Sequence, residues 1–428
     1  MADPALPRLA FVYSGLETED PPLLLAEAAR DVASLVWTLP DAGGVGAPAM
    51  RMLRRLGEVL DLSGCTDDEA AELIRRSGAT GLVCFNDDNL VRAAEWARRL
   101  DMRFFRPEVA TRLTDKLAQR RALREAGMRT PAFWDADALA DPSAIAEVEE
   151  IAGFPVVVKP RQGHGSRDVE AVGSVDRLAA AIARGTQGSM LVEAYIPDPS
   201  VPPGASGSAP YVSVELVASS GVVSVLGVTG RAPLAPPFRE TGALFPAGLP
   251  PEQHDEVVAT AVVAARALGV ETGPLHVELK FTDAGPVVIE VNGVMGGGAI
   301  RDLMQRGLGL DVVQLTMRLA VGEHIVFAEP PRPSDVGFLF EMQPDMDARR
   351  IVAVEGLESM AEVAGVERVL PGLRAGDEVS WRTGTHAFVA AVLGAAPDHA
   401  GAERVRQEFY RRVVVTTDDG GHDGFRAP

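Results

Sequence analysis

The sequence lacks several features that mark well-defined classes of protein. It has two cysteines in 428 residues, Cys65 and Cys84, and neither belongs to a CxxC pair or to a set with metal-ligand spacing. This excludes a disulfide framework and favours a reduced, cytoplasmic protein. No apolar run approaches the roughly 18 residues that cross a bilayer, and the N-terminal stretch has no basic segment followed by a long apolar one. We therefore expect neither a membrane span nor a signal peptide.

Cationic residues are also scarce. Lys and Arg number 41 against 60 Asp and Glu, which gives a net charge of -19 at pH 7. Nucleic-acid binding depends on clustered Lys and Arg, so we do not expect a nucleic-acid partner. The acidity itself is compatible with solubility or with a high-salt or high-GC host. A protein of this charge that binds an anionic nucleotide must concentrate its cations locally, and the stretches around Lys116 and Lys159 are the candidates.

Strands that alternate with helices predict a parallel α/β domain over about the first 110 residues. The apolar runs "RLAFVYSG" (8–15) and "GLVCFND" (81–87) are each followed by a segment with helical spacing. No GxGxxG motif follows the first strand, so we predict no dinucleotide site there. Further helices are predicted after a cap at Thr114 or Asp115, and from about Ile300 to Ala320. The turn signals "SSG" (219–221) and "DAG" (283–285) each predict a hairpin.

The second of these hairpins carries the strongest chemical signal. Glu290 and Asn292 are two residues apart on one strand and share a face, and the short turn brings Glu278 opposite them. Two carboxylates and an amide oxygen then converge inside apolar strands, where uncompensated charge is costly. Oxygen ligands completed by substrate phosphates are what Mg²⁺ prefers. The alternative is a solvent-facing strand edge with scattered acids, which the glycines of the following "NGVMGGG" disfavour because they let a ligand approach the backbone.

A second signal is the stretch "VVVKPRQGHGSRDV" (156–169). Lys159 follows three valines and would emerge at a strand end, while Gly163 and Gly165 would let the backbone fold over phosphates. Further hydrogen-bond donors in this loop are Arg161, His164 and Arg167. The loop is not a Walker A motif, because GxxxxGK[ST] is absent. A plain β-turn is the alternative interpretation.

Two weaker signals lie on either side of this loop. Lys116 stands in "TDK" at a helix start and could reach a phosphate from the other side, although a solvated helix lysine is the simpler interpretation. Glu193 in "LVEAYI" lies at a strand end, where the following extended backbone could hydrogen-bond an adenine edge. Neither residue is informative alone.

The order of these features resembles the ATP-grasp superfamily over about residues 1–325. Lys116 comes first, then Lys159 with its glycine loop, Glu193, Glu215 in "SVE", and finally the hairpin acids. The resemblance implies an α/β and α+β multidomain protein with the ATP-grasp fold, in which ATP lies between two antiparallel sheets. The domains it implies are a Rossmann-like pre-ATP-grasp domain (1–112), an ATP-grasp domain (113–325) with a lid subdomain at about 155–215 and a metal-binding subdomain at about 216–325, and a C-terminal α+β subdomain (326–428).

The resemblance also assigns residues to roles. Glu278, Glu290 and Asn292 are the expected ligands of Mg²⁺, with Mn²⁺ as an alternative metal. The expected ATP-binding residues are Lys116, Lys159, Gln162, Gly163, His164, Gly165, Ser166, Glu193, Ala194, Tyr195, Ile196 and Glu215. The expected catalytic residues are Lys280, Arg231, Glu240 and Arg301.

Within the superfamily the chain looks most similar to the L-amino acid ligases of dipeptide natural-product pathways. "HVELK" (276–280) matches their H-x-E-x-K, so Lys280 is expected at phosphate. "FRETGALFPAGLP" (238–250) resembles the segment over their amino-acid pocket, where Glu240 could contact a substrate ammonium group. The C-terminal "AVEGLESMAEVAGVERV" (353–369) with "GDEV" resembles their extra subdomain. Many relatives place an Arg two to four residues after the metal acid, whereas position 294 here is Val, with Arg301 or Arg231 as substitutes.

The activity implied by this resemblance is an ADP-forming ligase that joins a carboxylate to an amine through an acyl phosphate. The substrates would be small-molecule carboxylates and amines such as amino acids, and a homodimer is common among such ligases. A non-catalytic nucleotide-binding or scaffold protein is one alternative, favoured by Val294 and opposed by the retained metal set. A ligase that loads a carrier-protein thiol or a larger amine is another.

Overall fold

The computed structural model describes residues 6–16, 20–139, 141–185, 189–204, 208–297, 299–328 and 333–418. The N-terminal part forms the predicted parallel sheet, with strand order β3-β2-β1-β4. Its strands are β1 (Arg8–Val12), β2 (Ser34–Leu39), β3 (Glu58–Asp61) and β4 (Gly81–Cys84). Its helices are α1 (Pro22–Ala29), α2 (Ala47–Leu56), α3 (Asp67–Arg76) and α4 (Asp87–Leu100).

Two consecutive helices, α5 (Pro107–Thr114) and α6 (Lys116–Glu125), lead out of this domain. The break between them falls at Asp115, whose carboxylate accepts hydrogen bonds from the amides of Leu117 and Ala118. This confirms the predicted cap at Asp115. Because the cap residue precedes it, Lys116 is the first residue of α6.

A four-stranded antiparallel sheet follows, with strand order β5-β8-β6-β7. Its strands are β5 (Phe133–Asp135), β6 (Val156–Pro160), β7 (Glu170–Val172) and β8 (Met190–Ala194), and its helices are α7 (Pro142–Ala152) and α8 (Val175–Arg184). Lys159 lies near the end of β6, and the register pairs Val157 with Glu193 of β8. The segment between β6 and β7, residues 161–169, is called the glycine loop below.

The largest sheet has eight strands in the order β13-β12-β9-β10-β11-β14-β17-β16, and a separate pair joins β15 to β18. These strands are β9 (Tyr211–Ser219), β10 (Val222–Arg231), β11 (Gly242–Phe245), β12 (Gly273–Lys280), β13 (Val287–Asn292), β14 (Val336–Met342), β15 (Ile351–Glu355), β16 (Val366–Pro371), β17 (Ala390–Ala396) and β18 (Val414–Thr417). Both predicted hairpins, β9–β10 and β12–β13, are confirmed. Since β11 pairs with β14, this sheet continues past residue 325. The domain limits drawn from the sequence stay a prediction.

Four further helices accompany this sheet, and they are α9 (Pro251–Ala267), α10 (Ile300–Leu308), α11 (Val312–Ala320) and α12 (His399–Arg412). The prediction of one helix from Ile300 to Ala320 is wrong. Gly309 adopts a left-handed conformation with φ of 66°, which ends α10, and Asp311 caps the start of α11 with its carboxylate. No helix of the described residues is long and apolar enough to cross a membrane.

One hydrophobic core joins the N-terminal domain to the hairpin that carries the predicted metal ligands. Leu90 of α4 and Leu113 of α5 belong to the same buried cluster as Val277 and Val291 of the hairpin. The chain leaves β13 through Gly293, where an added Cβ would lie 2.8 Å from the Leu90 side chain. The hairpin is thus packed tightly against the first domain.

Candidate active site

The hairpin register brings the predicted metal ligands together. Glu278 of β12 is paired with Glu290 of β13, and His276 is paired with Asn292. This is the alignment that the two-residue period of the strands predicted. Among the described ranges, no cluster of three or more His, Cys, Asp or Glu side chains is arranged for a metal ion. The predicted ligand set has two carboxylates and an amide, and its use by a metal stays a prediction.

The outer edge of β13 is covered by a side chain of α6. Gln119 donates a hydrogen bond from Nε2 to the carbonyl of Val291 at 2.8 Å, and its Oε1 accepts one from the Val291 amide at 2.9 Å. Gln119 is 1% exposed. It therefore occupies the place of a further strand beside the residues that precede Asn292.

Lys116 connects the hairpin to the glycine loop. Its Nζ lies 2.7 Å from Glu290 Oε1 and donates to the Gly163 carbonyl at 2.7 Å. The backbone amide of Lys116 also donates to the carbonyl of Arg161 at 2.9 Å. A phosphate bound by Lys116 and a metal ion bound by Glu290 would therefore be direct neighbours.

Lys159 belongs to a buried cluster of three charges. Glu193 lies 2.6 Å from Lys159 Nζ through one oxygen and 2.6 Å from Arg120 Nε through the other. Burial alone would raise the pKa of Glu193, but the charges of Arg120 and Lys159 outweigh it and lower the pKa to about 2. Burial also lowers the pKa of Lys159. The Glu193 carboxylate, expected near adenine, is thus committed to two cations of the protein.

Arg120 was missed by the sequence reasoning. It is 1% exposed and also donates from Nη2 to the carbonyl of Ile289 on β13. Its spacing carried a signal, because Arg120 follows Lys116 by four residues and so lies on the same face of α6.

The segment after β8, which was expected to face adenine, contacts Lys280. Lys280 Nζ donates to the Ile196 carbonyl at 2.7 Å and lies 2.8 Å from Asp198 Oδ1. It also lies 4.6 Å from the centre of the Tyr195 ring. Lys280 thus connects the end of β12 with the chain that continues from Ala194.

A buried chain of charges lies beside Glu278. His276 Nδ1 is 2.9 Å from Glu215 Oε2, and His276 Nε2 is 3.3 Å from Glu278 Oε1. Burial disfavours the imidazolium, but the two carboxylates outweigh this and raise the pKa of His276 to about 10. Both ring nitrogens then donate. Glu215, which was expected to contact nucleotide, is fully buried and serves here as the partner of His276.

Arg231 completes this chain of charges. Its Nη2 donates to Ser213 Oγ at 3.1 Å and lies 3.4 Å from His276 Nε2. Its Nε is buried and has no hydrogen-bond acceptor among the described residues; it lies 3.7 Å from Glu240 Oε1. Glu240 in turn accepts a hydrogen bond from Tyr211 Oη at 3.3 Å. A buried guanidinium with an unused donor is suited to bind an anion.

Of the two arginines expected to replace the one absent at position 294, Arg231 is therefore the one that lies at the hairpin. Arg301, near the start of α10, lies 2.7 Å from Asp20 Oδ2 and 3.5 Å from Asp311 Oδ2. Its charge is balanced by these two acids, neither of which belongs to the hairpin. Val294 itself packs partly buried against the core of the N-terminal domain.

The remaining loop residues are divided between two surroundings. The His164 ring lies 5.6 Å from the ring of His386, and Ser166 Oγ donates to the Phe238 carbonyl at 2.8 Å. Gln162 instead lines a cavity of about 580 Å³ together with residues of α8 and with Arg382.

Asp87, the first residue of α4, is a second residue that sequence reasoning missed. Within the described ranges its Oδ1 is buried without a hydrogen-bond partner, and burial together with the charge of Glu290 raises its pKa to about 7. The signal was its position directly after β4, because ligands of parallel α/β sheets bind at the carboxyl ends of the strands.

Comparison with known proteins identifies the domain and the fold. Residues 113–298 match the family model described as ATP-grasp domain. The whole chain is similar in structure to an L-amino acid ligase from Bacillus licheniformis, with a TM-score of 0.74 and 20% identity over 97% of this chain and 99% of that one.

Two sequence relatives differ in how much of their length is matched. The uncharacterized protein y4rH of Sinorhizobium fredii is 28% identical over 84% of this chain and 69% of its own length. Carnosine synthase 1 of Gallus gallus is 31% identical over 42% of this chain, which spans only 20% of that longer protein. The family match and the structural likeness show that this chain carries an ATP-grasp domain and has the ATP-grasp fold.

Proposed function

We propose that this protein is an ATP-dependent, ADP-forming ligase that joins a carboxylate to an amine, with amino acids or similar molecules as substrates in a natural-product pathway. The observation that carries the proposal is the contact of Lys116 with both Glu290 and the glycine loop. It gathers a phosphate-binding cation, a metal-binding acid and a flexible cover in one place. The similarity to an L-amino acid ligase and to carnosine synthase supports the choice of substrates.

The proposed reaction has two steps. The γ-phosphoryl group of ATP passes to an oxygen of the substrate carboxylate and gives an acyl phosphate and ADP. The amine nitrogen then adds to the carbonyl carbon, inorganic phosphate leaves with the electrons of the C–O bond, and the nitrogen loses a proton. No protein nucleophile is needed, because the protein positions the reactants and neutralises charge.

The phosphates would be held by Lys116 and Lys159 from two sides. Lys159 is held rigidly by Glu193 and would project from the end of β6, while Lys116 reaches from α6. Glu278, Glu290 and Asn292 offer only oxygen donors and lie in register, which fits Mg²⁺ or Mn²⁺. When bound, this ion would neutralise phosphate charge.

The carboxylate substrate would lie beside Arg231. The unused Nε–H of Arg231 would donate a hydrogen bond to an oxygen of the carboxylate and stabilise the charge that develops there during transfer. Glu240 is exposed enough to meet an ammonium group, since a third of its side chain is accessible (33%). This pair therefore suits the two charged groups of an amino acid.

A screen of amino-acid pairs tests the proposal through both ADP and amide product. At least one pair should raise ADP formation and give product, and Glu290→Ala should abolish both. Glu147→Gln, which changes an exposed glutamate of α7, is the matched control and should keep wild-type activity.

Three results would contradict the proposal. The first is that no pair or single carboxylate raises ADP formation, and the second is that Glu290→Ala retains activity. The third is that ATP binds tightly without any turnover. The last result would favour the nucleotide-binding scaffold. Product found only with a carrier-protein thiol would move the reaction to that acceptor.

A further inference from the structure

The glycine loop contacts a segment from the C-terminal part of the chain. This segment, residues 381–387 between β16 and β17, is called the clamp segment. Thr385 donates its amide hydrogen to the Gly165 carbonyl at 2.9 Å, and Asp168 donates its amide hydrogen to the Arg382 carbonyl at 3.1 Å. Arg382 Nη1 also lies 3.4 Å from Asp168 Oδ1. The glycine loop is therefore held by the clamp segment at two positions, Gly165 and Asp168.

The backbones of the glycine loop and the clamp segment approach each other closely at two glycines. Gly384 has φ of 76°, and a Cβ there would lie 2.0 Å from the Gly165 carbonyl oxygen and 2.8 Å from the Arg167 amide nitrogen. A Cβ on Gly165, whose φ is 64°, would lie 2.6 Å from His386 Nε2. A side chain at Gly384 would therefore displace the backbone of the loop, and one at Gly165 would displace the ring of His386.

Thr385 also contacts the segment that carries Glu240. Its Oγ1 accepts a hydrogen bond from the Glu240 amide at 3.1 Å, and its carbonyl accepts one from Gln343 Nε2 at 2.9 Å. The same Gln343 nitrogen donates to the Glu240 carbonyl at 2.9 Å. Thr385 is 8% exposed and uses its amide, hydroxyl and carbonyl groups in this junction.

We propose that the clamp segment positions the glycine loop and the Glu240 segment as one unit, with Thr385 as the positioning residue that couples them. Closure of the loop over the nucleotide would then order the amino-acid pocket at the same time. Such coupling protects an acyl phosphate, because a closed loop excludes water while the acceptor is held in place. The identity of the substrates rests on the proposed function, whereas the coupling itself is measurable in the free protein.

Gly384→Ala tests whether the clamp segment holds the loop. In the free protein, amide hydrogen exchange at Asp168 and Thr385 should accelerate by about tenfold or more, since both hydrogen bonds across the contact are lost. The KM for ATP and the share of ATP hydrolysed without product should rise as well. Gly173→Ala is the matched control, because no atom lies within 4 Å of its added Cβ and its φ is not left-handed. Wild-type exchange in Gly384→Ala would overturn the inference, whether or not the protein ligates.

Thr385→Val tests the coupling, because it removes the hydroxyl acceptor and keeps the backbone amide. The Glu240 amide should exchange severalfold faster while the Asp168 amide keeps its wild-type rate. In turnover, the KM for the amino acid should rise with little change in the KM for ATP, and Thr385→Ser should restore both readouts. Equal behaviour of the Val and Ser variants would overturn the coupling. If the variants change amide exchange as expected but the wild-type protein ligates no substrate, the proposed function alone is contradicted.

Discussion

The two sides of the site are held by different kinds of contact. The β12–β13 hairpin is packed into a hydrophobic core that it shares with α4 and α5. The glycine loop is held instead by hydrogen bonds and an ion pair, and it contains two non-glycine residues at positive φ, Ser166 at 57° and Asp168 at 54°. Dense apolar packing fixes one arrangement, whereas a strained loop held by few hydrogen bonds opens at low cost. The comparison predicts fixed ligands on the hairpin and movement in the loop.

The largest effect on stability is expected at Arg120, which joins the hairpin to the four-stranded sheet from which the glycine loop extends. Arg120→Ala leaves Glu193 with one cation and removes the hydrogen bond to Ile289 of the hairpin. Removing one partner of a buried ion cluster costs about 3–5 kcal/mol, so the free energy of unfolding should fall by that amount. Denaturant titration measures it. Arg121→Ala, at the exposed neighbouring position, is the control and should change stability by less than about 0.5 kcal/mol. Equal stability of the two variants would show that Arg120 does not join the hairpin to the four-stranded sheet.

A smaller effect is expected within the hairpin side. Gly293→Ala places a Cβ 2.8 Å from the side chain of Leu90 and 2.9 Å from that of Leu113. Overpacking of this kind costs about 1–3 kcal/mol, and metal-dependent activity should fall with it because the ligand strand moves. Gly297→Ala, where no atom lies within 4 Å of the added Cβ, serves as the control. If Gly293→Ala unfolds at the same denaturant concentration as wild type, the hairpin is less tightly packed than we infer.

The smallest effect is expected for a change of pH, which should alter how firmly the glycine loop is held. Burial and the charge of Arg167 lower the pKa of His164 and of His386 from the usual value of 6.5. The nearby acids oppose this shift, and they are Asp88 and Glu290 at His164 and Glu240 at His386. Lys116 also disfavours protonation of His164, and the ring of His164 disfavours protonation of His386. Both rings are therefore neutral in the closed loop.

The stabilisation from a lowered histidine pKa is present above the unfolded value and is lost as pH falls through the folded one. Exchange of the Asp168 amide, corrected for its intrinsic pH dependence, should thus accelerate about two- to fivefold between about pH 7.5 and 5.5. His386→Phe should flatten this profile, while His254→Phe on α9 should leave it unchanged. A wild-type slope in His386→Phe would mean that the imidazole pair does not hold the loop.

The sequence predicted the hairpin side well and the loop side poorly, for a physical reason. The pairing of Glu278 with Glu290 follows from the two-residue period and one turn, and the Asp115 cap follows from a local hydrogen bond. The contact between the loop and the clamp segment joins residues more than 200 positions apart, which no local pattern encodes.

The same limit explains the individual misses. The sequence offered Arg301 and Arg231 equally, and only the strand order β12-β9-β10, in which Arg231 of β10 reaches His276 of β12 across β9, distinguishes them. Arg120 and Asp87 were ordinary helix residues until their surroundings were known. The single helix predicted from Ile300 to Ala320 overlooked the break, where Gly309 in a left-handed conformation ends α10 and Asp311 caps α11.

The amide of Gln119 has a consequence for the uniqueness of the fold. β13 is the edge strand of the eight-stranded sheet, and a shift of one residue along β12 would turn Glu290 and Asn292 to the opposite face. Gln119 recognises the backbone of Val291 through both its donor and its acceptor, so it fits a single alignment. It also occupies part of an edge that could otherwise recruit a strand from another molecule. One glutamine thus acts against both register slippage and aggregation at the strand that carries the chemistry.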